Sequence, residues 1–469
     1  MVSAKRLFVL CGCVVVAGCA AVGPNYRLPA NASFNAPAAQ GDFVSSSTAT
    51  TASVLPGQWW KLYDDPVLDR LIAQTLAANT QLRVAEANLQ RSHAMQDEAN
   101  AQQFAGSVDA ATAWTHPSEE SVLKRVGVEP YQNYNGGLSI SYDLDLFGAI
   151  RRGEEAASAD DEAAAAARDL VRVNVVADTA LAYADMCNAG HELTLAKQRI
   201  AVEQRYAQLT AVSVARGRVS PIENQRQHDV VATAQAQLPK LEAVQRNAAF
   251  RLATLAGRPP EEYDRALLTC SSPLRLNQPL PIGNGQALLK RRPDVRAAER
   301  RLAAATARIG IATAALYPDI KLGASVGSTG KADDALTGYT NRFALGPSIS
   351  WNVNRNAVRA RIDEANAQSH TSLAAFDGTV LNALREVEVS LDNYAADLQR
   401  QDSLREARDS ALLRATQTEE LKKGGRIDSL TFLAAERDRW LAEQAVADGQ
   451  TTLNRDQIEV LLALGGGWQ

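Results

Sequence analysis

Cysteine is the residue type in this chain whose position suggests covalent chemistry. Of the five cysteines, Cys19 closes the run Val16-Ala17-Gly18-Cys19, after an apolar stretch from Leu7 to Ala17 that Lys5 and Arg6 precede. The stretch has the length of a signal-peptide core and is too short to span a bilayer. Its end reads as a lipobox, in which Cys19 takes a lipid and becomes the first residue of the mature chain; an ordinary signal peptide that happens to contain cysteine is the alternative. Cys11 and Cys13 would leave with the signal. Ala20 stands where an aspartate is absent, as in lipoproteins sorted to the outer membrane.

Other reactive constellations are missing from the sequence. His93, His116, His191, His228 and His370 are scattered, with no HExxH and no cysteine pairs at zinc spacing. Gly330-Lys331 has the end of a phosphate loop, but Ser325 stands where the first glycine belongs and Ala332 where Ser or Thr belongs; a loop tip between strands is the better reading. Lys290, Arg291, Arg292, Arg296, Arg300 and Arg301 form a basic cluster, yet Asp294 and Glu299 interrupt it and no stacking aromatics accompany it. With a formal net charge of −4 the chain has no electrostatic case for nucleic acid. Neither an enzyme nor a cofactor is expected, apart from the covalent lipid on Cys19. The residues describe architecture.

That architecture rests on two long helical runs. From Ala149 to Arg216 there is no proline and only Gly153 and Gly190 interrupt a segment rich in Ala, Leu, Arg and Glu. At 1.5 Å per residue it would be roughly 100 Å long, far beyond an ordinary helix. Two seven-residue stripes, Leu193/Ile200/Ala207/Val214 and Leu195/Val202/Leu209, give it packing neighbours on two sides. A second run from Ala357 to Lys423 carries Leu384/Leu391/Leu398/Leu412. The runs end in matching breaks, Gly217-Arg218-Val219-Ser220-Pro221 and Gly424-Gly425-Arg426-Ile427-Asp428.

Alternating segments precede each run. Val108 to Trp114 and Leu138 to Leu144 in the first half answer Ile320 to Val326 and Phe343 to Val353 in the second. Ser139–Asp145 matches Ser348–Asn354, and Leu82–Glu86 matches Val295–Glu299, at offsets of about 208 to 213 residues, so the chain reads as one duplicated unit. Segments of about ten residues with one apolar and one small polar face fit membrane-barrel strands; half-buried soluble hairpins are the alternative. Four strands cannot close a membrane barrel, which takes about eight at the least, so spanning strands would require oligomerisation, most simply as a trimer with twelve strands. The remaining segments are a Pro-, Ala-, Ser- and Thr-rich arm to about Val54, a helical stretch that Trp59-Trp60 open and that continues towards Gln103, and a return helix stopped by Gly257-Arg258-Pro259-Pro260.

Five stretches together resemble the outer membrane factor family: Cys19–Tyr26, Trp59-Trp60 ahead of Asp65-Pro66, Tyr142–Gly148, Arg291–Glu299 and Leu462–Trp468. More narrowly the chain is similar to NodT-type lipoproteins of RND efflux systems, relatives of TolC and OprM. The resemblance implies a mostly α fold with a membrane β-barrel portion: a homotrimer whose twelve-stranded barrel continues as a long α-helical barrel with an equatorial belt. It also implies that the protein sits in outer membrane lipid as an exit duct, met by a periplasmic membrane fusion adaptor and an inner-membrane RND transporter. The expected divisions are a signal peptide at 1–18, a lipidated arm at 19–55, a first repeat at 56–257, an equatorial linker at 258–285 and a second repeat at 286–469. A lipid-anchored periplasmic coiled-coil scaffold without channel activity is the competing reading.

Site expectations follow from that frame. Cys187 and Cys270 would meet an oxidising periplasm at similar height, which predicts a disulfide, with two buried free thiols as the alternative. Gly217, Val219, Ser220, Gly425, Ile427 and Ser429 are expected to contact the adaptor; ordinary helix-hairpin turns are the bland reading. Relatives place an acid early in the last return helix, but Ala434 holds that position within Leu433-Ala434-Ala435-Glu436. Asp428, with Arg426 as partner, and Glu436 are the remaining gate candidates, and Asp428 reads equally well as the cap of its helix.

Overall fold

The computed structural model describes residues 21–118, 129–276 and 278–467. Cys19 and Trp468 lie outside the described residues. In chain order the elements are α1 (Pro66–Ala78), α2 (Thr80–Asn100), β1 (Phe104–Thr115), β2 (Tyr131–Asp143), α3 (Ala149–Ala215), α4 (Pro221–Gln235) and α5 (Leu238–Leu255). The second half supplies α6 (Gly285–Arg291), α7 (Pro293–Ala314), β3 (Asp319–Lys331), β4 (Asn341–Ser350), α8 (Arg355–Lys423) and α9 (Ser429–Ala463). α3 has 67 residues and α8 has 69, the lengths that the absence of proline and the wealth of helix formers predict.

The described residues divide into two compact units, one of 21–29, 89–118, 129–164 and 297–376, the other of 30–88, 165–276, 278–296 and 377–467. The first holds a four-stranded antiparallel sheet in the order β1-β2-β3-β4. Repeat symmetry explains that order: each hairpin comes from one half of the chain, and β2 pairs with β3 across the halves.

The second unit holds the large apolar core. Trp59, Leu68 and Ile72 pack there with Val176 and Met186 of α3, Leu280 of the linker, Leu288 of α6, Leu391 of α8, and Ile458 and Leu461 of α9. The arm is tied to the same unit: the Ser33 amide donates to Asp377, and the Val44 and Ser45 amides both donate to the Glu388 carboxylate. Thr50–Thr51 then pairs in parallel with Leu280–Pro281.

Several sequence expectations need correction. The stretch opening at Trp59-Trp60 is not one helix to Gln103. Both tryptophans are buried in a 3-10 turn at Trp59–Tyr63, and Asn79 separates α1 from α2. Its side chain accepts from the Leu82 amide and donates to the Leu255 carbonyl, so a long-range bond replaces helix continuity there. The first return helix is likewise two helices, because Pro239 lacks the amide that a continuous ladder would use. The strands end at Asp143 and Ser350, earlier than Asp145 and Asn354; Asp145 adopts φ 41° and accepts from the Ile150 and Arg151 amides, opening α3. Leu412 is exposed, whereas Leu384, Leu391 and Leu398 of the same heptad stripe meet the core.

Candidate functional site

Alternation along each strand becomes a continuous surface once register is fixed. Val108 faces Leu138, Leu138 faces Val326, and Val326 faces Phe343, so one apolar row crosses all four strands. Parallel rows join Ile140 to Ala324 to Leu345, and Tyr142 to Leu322. The intervening row is small and polar, with Ser107, Ser139, Ser325 and Ala344 in register, and the Ser107 and Ser139 hydroxyls lie 2.8 Å apart. Among the described residues nothing covers the apolar face: Phe343 is 88 % exposed, Val108 79 % and Leu345 77 %. Water does not tolerate such a surface at that extent, and lipid does. Strands of 12, 13, 13 and 10 residues are long enough for a bilayer's hydrocarbon. Among the described residues no helix is long and apolar enough to cross a membrane.

The far ends of the long helices are built alike. At the end of α3 the Gly217 amide donates to Val214 O and the Arg218 amide to Ser213 O, with Gly217 at φ 67°. At the end of α8 the Gly425 amide donates to Lys422 O and the Arg426 amide to Leu421 O, with Gly425 at φ 66°. Both are Schellman closures, which need a left-handed residue and therefore favour glycine. The next helix is capped in each case, by Ser220 accepting from the Ile222 amide and by Asp428 accepting from the Thr431 amide at 2.8 Å. The amide bond from Thr431 holds the Asp428 carboxyl below its usual range. No atom lies within 4 Å of the place where a Cβ on Gly217 or Gly425 would stand, and Val219 and Ile427 are half-buried beside them.

The gate candidates sit at and just past the second break. Among the described residues no ion pair joins Arg426 to Asp428, and Glu436 instead meets Arg439 one turn along its own helix at 3.4 Å. Contacts that the sequence did not disclose lie close by. Lys422 Nζ sits 4.3 Å over the Phe432 ring, bracing the hairpin across its turn. Glu203, almost wholly buried on α3, faces Arg437 of α9 at 3.1 Å.

Cys187 and Cys270 are brought together as a disulfide, with Cα atoms 4.8 Å apart. The linker strand crosses α3 there so closely that a Cβ on Gly190 would come within 2.0 Å of the Cys270 carbonyl oxygen. Of the basic cluster, Arg292 is a buried tie: it donates to Asp294, Glu386 and the Ala463 carbonyl. Cys19, the lipidation candidate, lies outside the described residues.

Comparison with known proteins identifies this combination of exposed strands and paired long helices. The sequence matches the outer membrane efflux protein family over residues 71–258 and 284–466. The chain belongs to the outer membrane efflux protein family. Within it, outer membrane protein OprJ of Pseudomonas aeruginosa is 30 % identical, over 96 % of this chain and 94 % of that protein. Nodulation protein T of Rhizobium leguminosarum bv. trifolii is 26 % identical, over 97 % and 96 %. Among solved structures, the outer-membrane channel OprN superimposes with a TM-score of 0.84 at 32 % identity, covering 95 % of this chain and 99 % of that one. Membership of the outer membrane efflux family puts the chain in the outer membrane, and it accounts for the apolar face of the sheet.

Proposed function

We propose that the chain is the exit duct of a tripartite efflux pump, passing drugs or other small molecules outward from an inner-membrane RND transporter and a periplasmic membrane fusion adaptor. The observation that carries this reading is the sheet: four antiparallel strands with an uncovered apolar face and two outer strands, β1 and β4, each paired on one side only. In hydrocarbon an open sheet edge leaves backbone groups without partners at several kcal/mol each, so spanning strands must close into a barrel. A homotrimer supplies twelve strands, with β1 of one copy meeting β4 of the next. The long helices then continue the duct through the periplasm as an α-helical barrel, and the hairpins around Gly217, Val219 and Ser220 and around Gly425, Ile427 and Ser429 present its end to the adaptor. Cys19 carries a lipid that holds the N-terminal arm to the membrane. Conduction needs no catalytic group or cofactor, and choice of cargo rests with the pump.

Purified protein in planar bilayers tests this. Discrete ion-conducting steps are expected, together with an oligomer band on unheated gels that collapses to the monomer on boiling. A monomer with no conductance would return the chain to the lipid-anchored scaffold reading.

A further inference from the structure

The described chain begins inside a slot. The Val22 amide donates to the Phe147 carbonyl at 3.1 Å. Buried Arg152 then grips the segment through the Val22 and Gly23 carbonyls and the Asn25 side chain, at 3.1, 3.3 and 2.7 Å. Two glycines leave the room: a Cβ on Gly148 would stand 2.4 Å from that of Ala21, and one on Gly23 would stand 2.5 Å from the Gly310 Cα. Farther along the arm, the Tyr26 hydroxyl donates to Glu299 at 3.0 Å. Ala21 is therefore fixed against the turn between β2 and α3.

Beside that turn lies a groove of about 260 Å³. Leu146, Phe147, Ile311, Ala314, Tyr317 and Pro318 are among its lining residues, and the Phe147 and Tyr317 rings stack at 4.5 Å. Three carboxylates also line it and are already engaged: Asp145 accepts from the Ile150 and Arg151 amides and from Arg151 Nε, while Asp143 and Asp319 both face Lys321 Nζ. Ile311 and Tyr317 are left exposed. Cys19 stands two residues before Ala21, a reach of about 7 Å at full extension, and Ala21 already touches Gly148, the neighbour of Phe147.

We infer that this groove receives an acyl chain of the lipid carried by Cys19 of the same chain, with Arg152 and the glycine slot as the device that registers the anchor to it. The inference rests on the lipid-anchor reading of Cys19. It explains why an arm that needs only to be tethered is instead gripped at its first described residues, level with the ends of the strands.

Cells grown on a diazirine-bearing fatty acid supply the test. The channel is irradiated in isolated outer membranes, purified and digested, and its intact mass is recorded in parallel. The expected product joins the Cys19 peptide, through its acyl chain, to a peptide containing Phe147 or Ile311 to Pro318. Ile311→Arg, an exposed position, should lower that product at least tenfold while leaving the acyl mass on the protein. Groove peptides carrying only free phospholipid, or a Cys19 chain joined only to the outer faces of the strands, would overturn the inference with the anchor intact. A mature chain without acyl mass would overturn the anchor reading and the inference together, and the intact mass tells the two failures apart.

Discussion

At the scale of single residues, Asp456 and Asp428 show how the same side chain is driven in opposite directions. Asp456 on α9 is buried and hydrogen-bonded to Asp397, and both effects raise its carboxyl, to about 7. An ordinary unfolded aspartate titrates near 4, so between about pH 4 and pH 7 the folded chain binds more protons than the unfolded one. Stability on this account is greatest at the acid end of that window and falls as pH rises through it, levelling off above about 7. Asp456→Asn should flatten that slope in urea unfolding between pH 5 and pH 8; an unchanged slope would remove Asp456 as its source. Asp428 is exposed and held low by its amide bond. Asp428→Ala should cost roughly 1 kcal/mol as a lost cap, while Asp428→Asn keeps the acceptor. If Asp428 also lines a constriction, the Asn variant should show reduced cation selectivity and weaker block by divalent cations in single-channel recordings. Unchanged selectivity leaves it a cap only.

At the scale of elements, the crossing of α3 by the linker is held by both a covalent bond and a close backbone approach. The Cys187–Cys270 bond closes a sequence separation of 83 residues, a loop for which the loop-entropy account gives about 4.5 kcal/mol. Gly190 permits the approach, since a methyl group there would collide with the Cys270 carbonyl. Gly190→Ala should therefore cost about 1–3 kcal/mol by overpacking and leave a measurable fraction of free thiols in denatured, unreduced protein. Full oxidation together with wild-type stability would show that the linker can shift aside. Gly153, the other glycine in α3, has nothing within 4 Å of its missing Cβ, so Gly153→Ala serves as the matched control and should be neutral to stabilising.

At the scale of the whole molecule, the duplication sets what the proposed trimer would have to complete. Each half supplies one hairpin and one long helix ending in the same Schellman closure, so in the proposed trimer the two halves would offer quasi-equivalent surfaces to neighbours. Gly217→Val or Gly425→Val places a branched side chain at a left-handed backbone position, at a cost of about 1–2 kcal/mol confined to the tip. Export measured as drug resistance should be lost in these variants while the heat-sensitive oligomer of the proposed duct still forms, because the sheet proposed to build it is untouched. Unchanged resistance in both variants would exclude the tips as adaptor contacts.

The long helices, the alternating strands and the matching breaks were legible in the sequence because their causes are local. A proline-free run of good helix formers, a period of two, or a glycine where the chain turns back acts through neighbouring residues alone. The lipobox reading of Cys19 is equally local, and the sequence remains its support. Tertiary structure decided what distant groups compete for. Asn79 bonds to Leu255 and so ends α1; Arg292, one of several basic residues in a row, becomes a buried tie because Glu386 and the Ala463 carbonyl arrive from elsewhere in the chain. The sequence shows alternation on each strand but not which residues face one another, so the apolar row from Val108 to Phe343 appears only when register is set by hydrogen bonds across the two repeats. Arg152 and its slot were invisible for the same reason: an arginine on a helix says nothing of the carbonyls it will hold until the arm, more than a hundred residues earlier in the chain, folds back onto it.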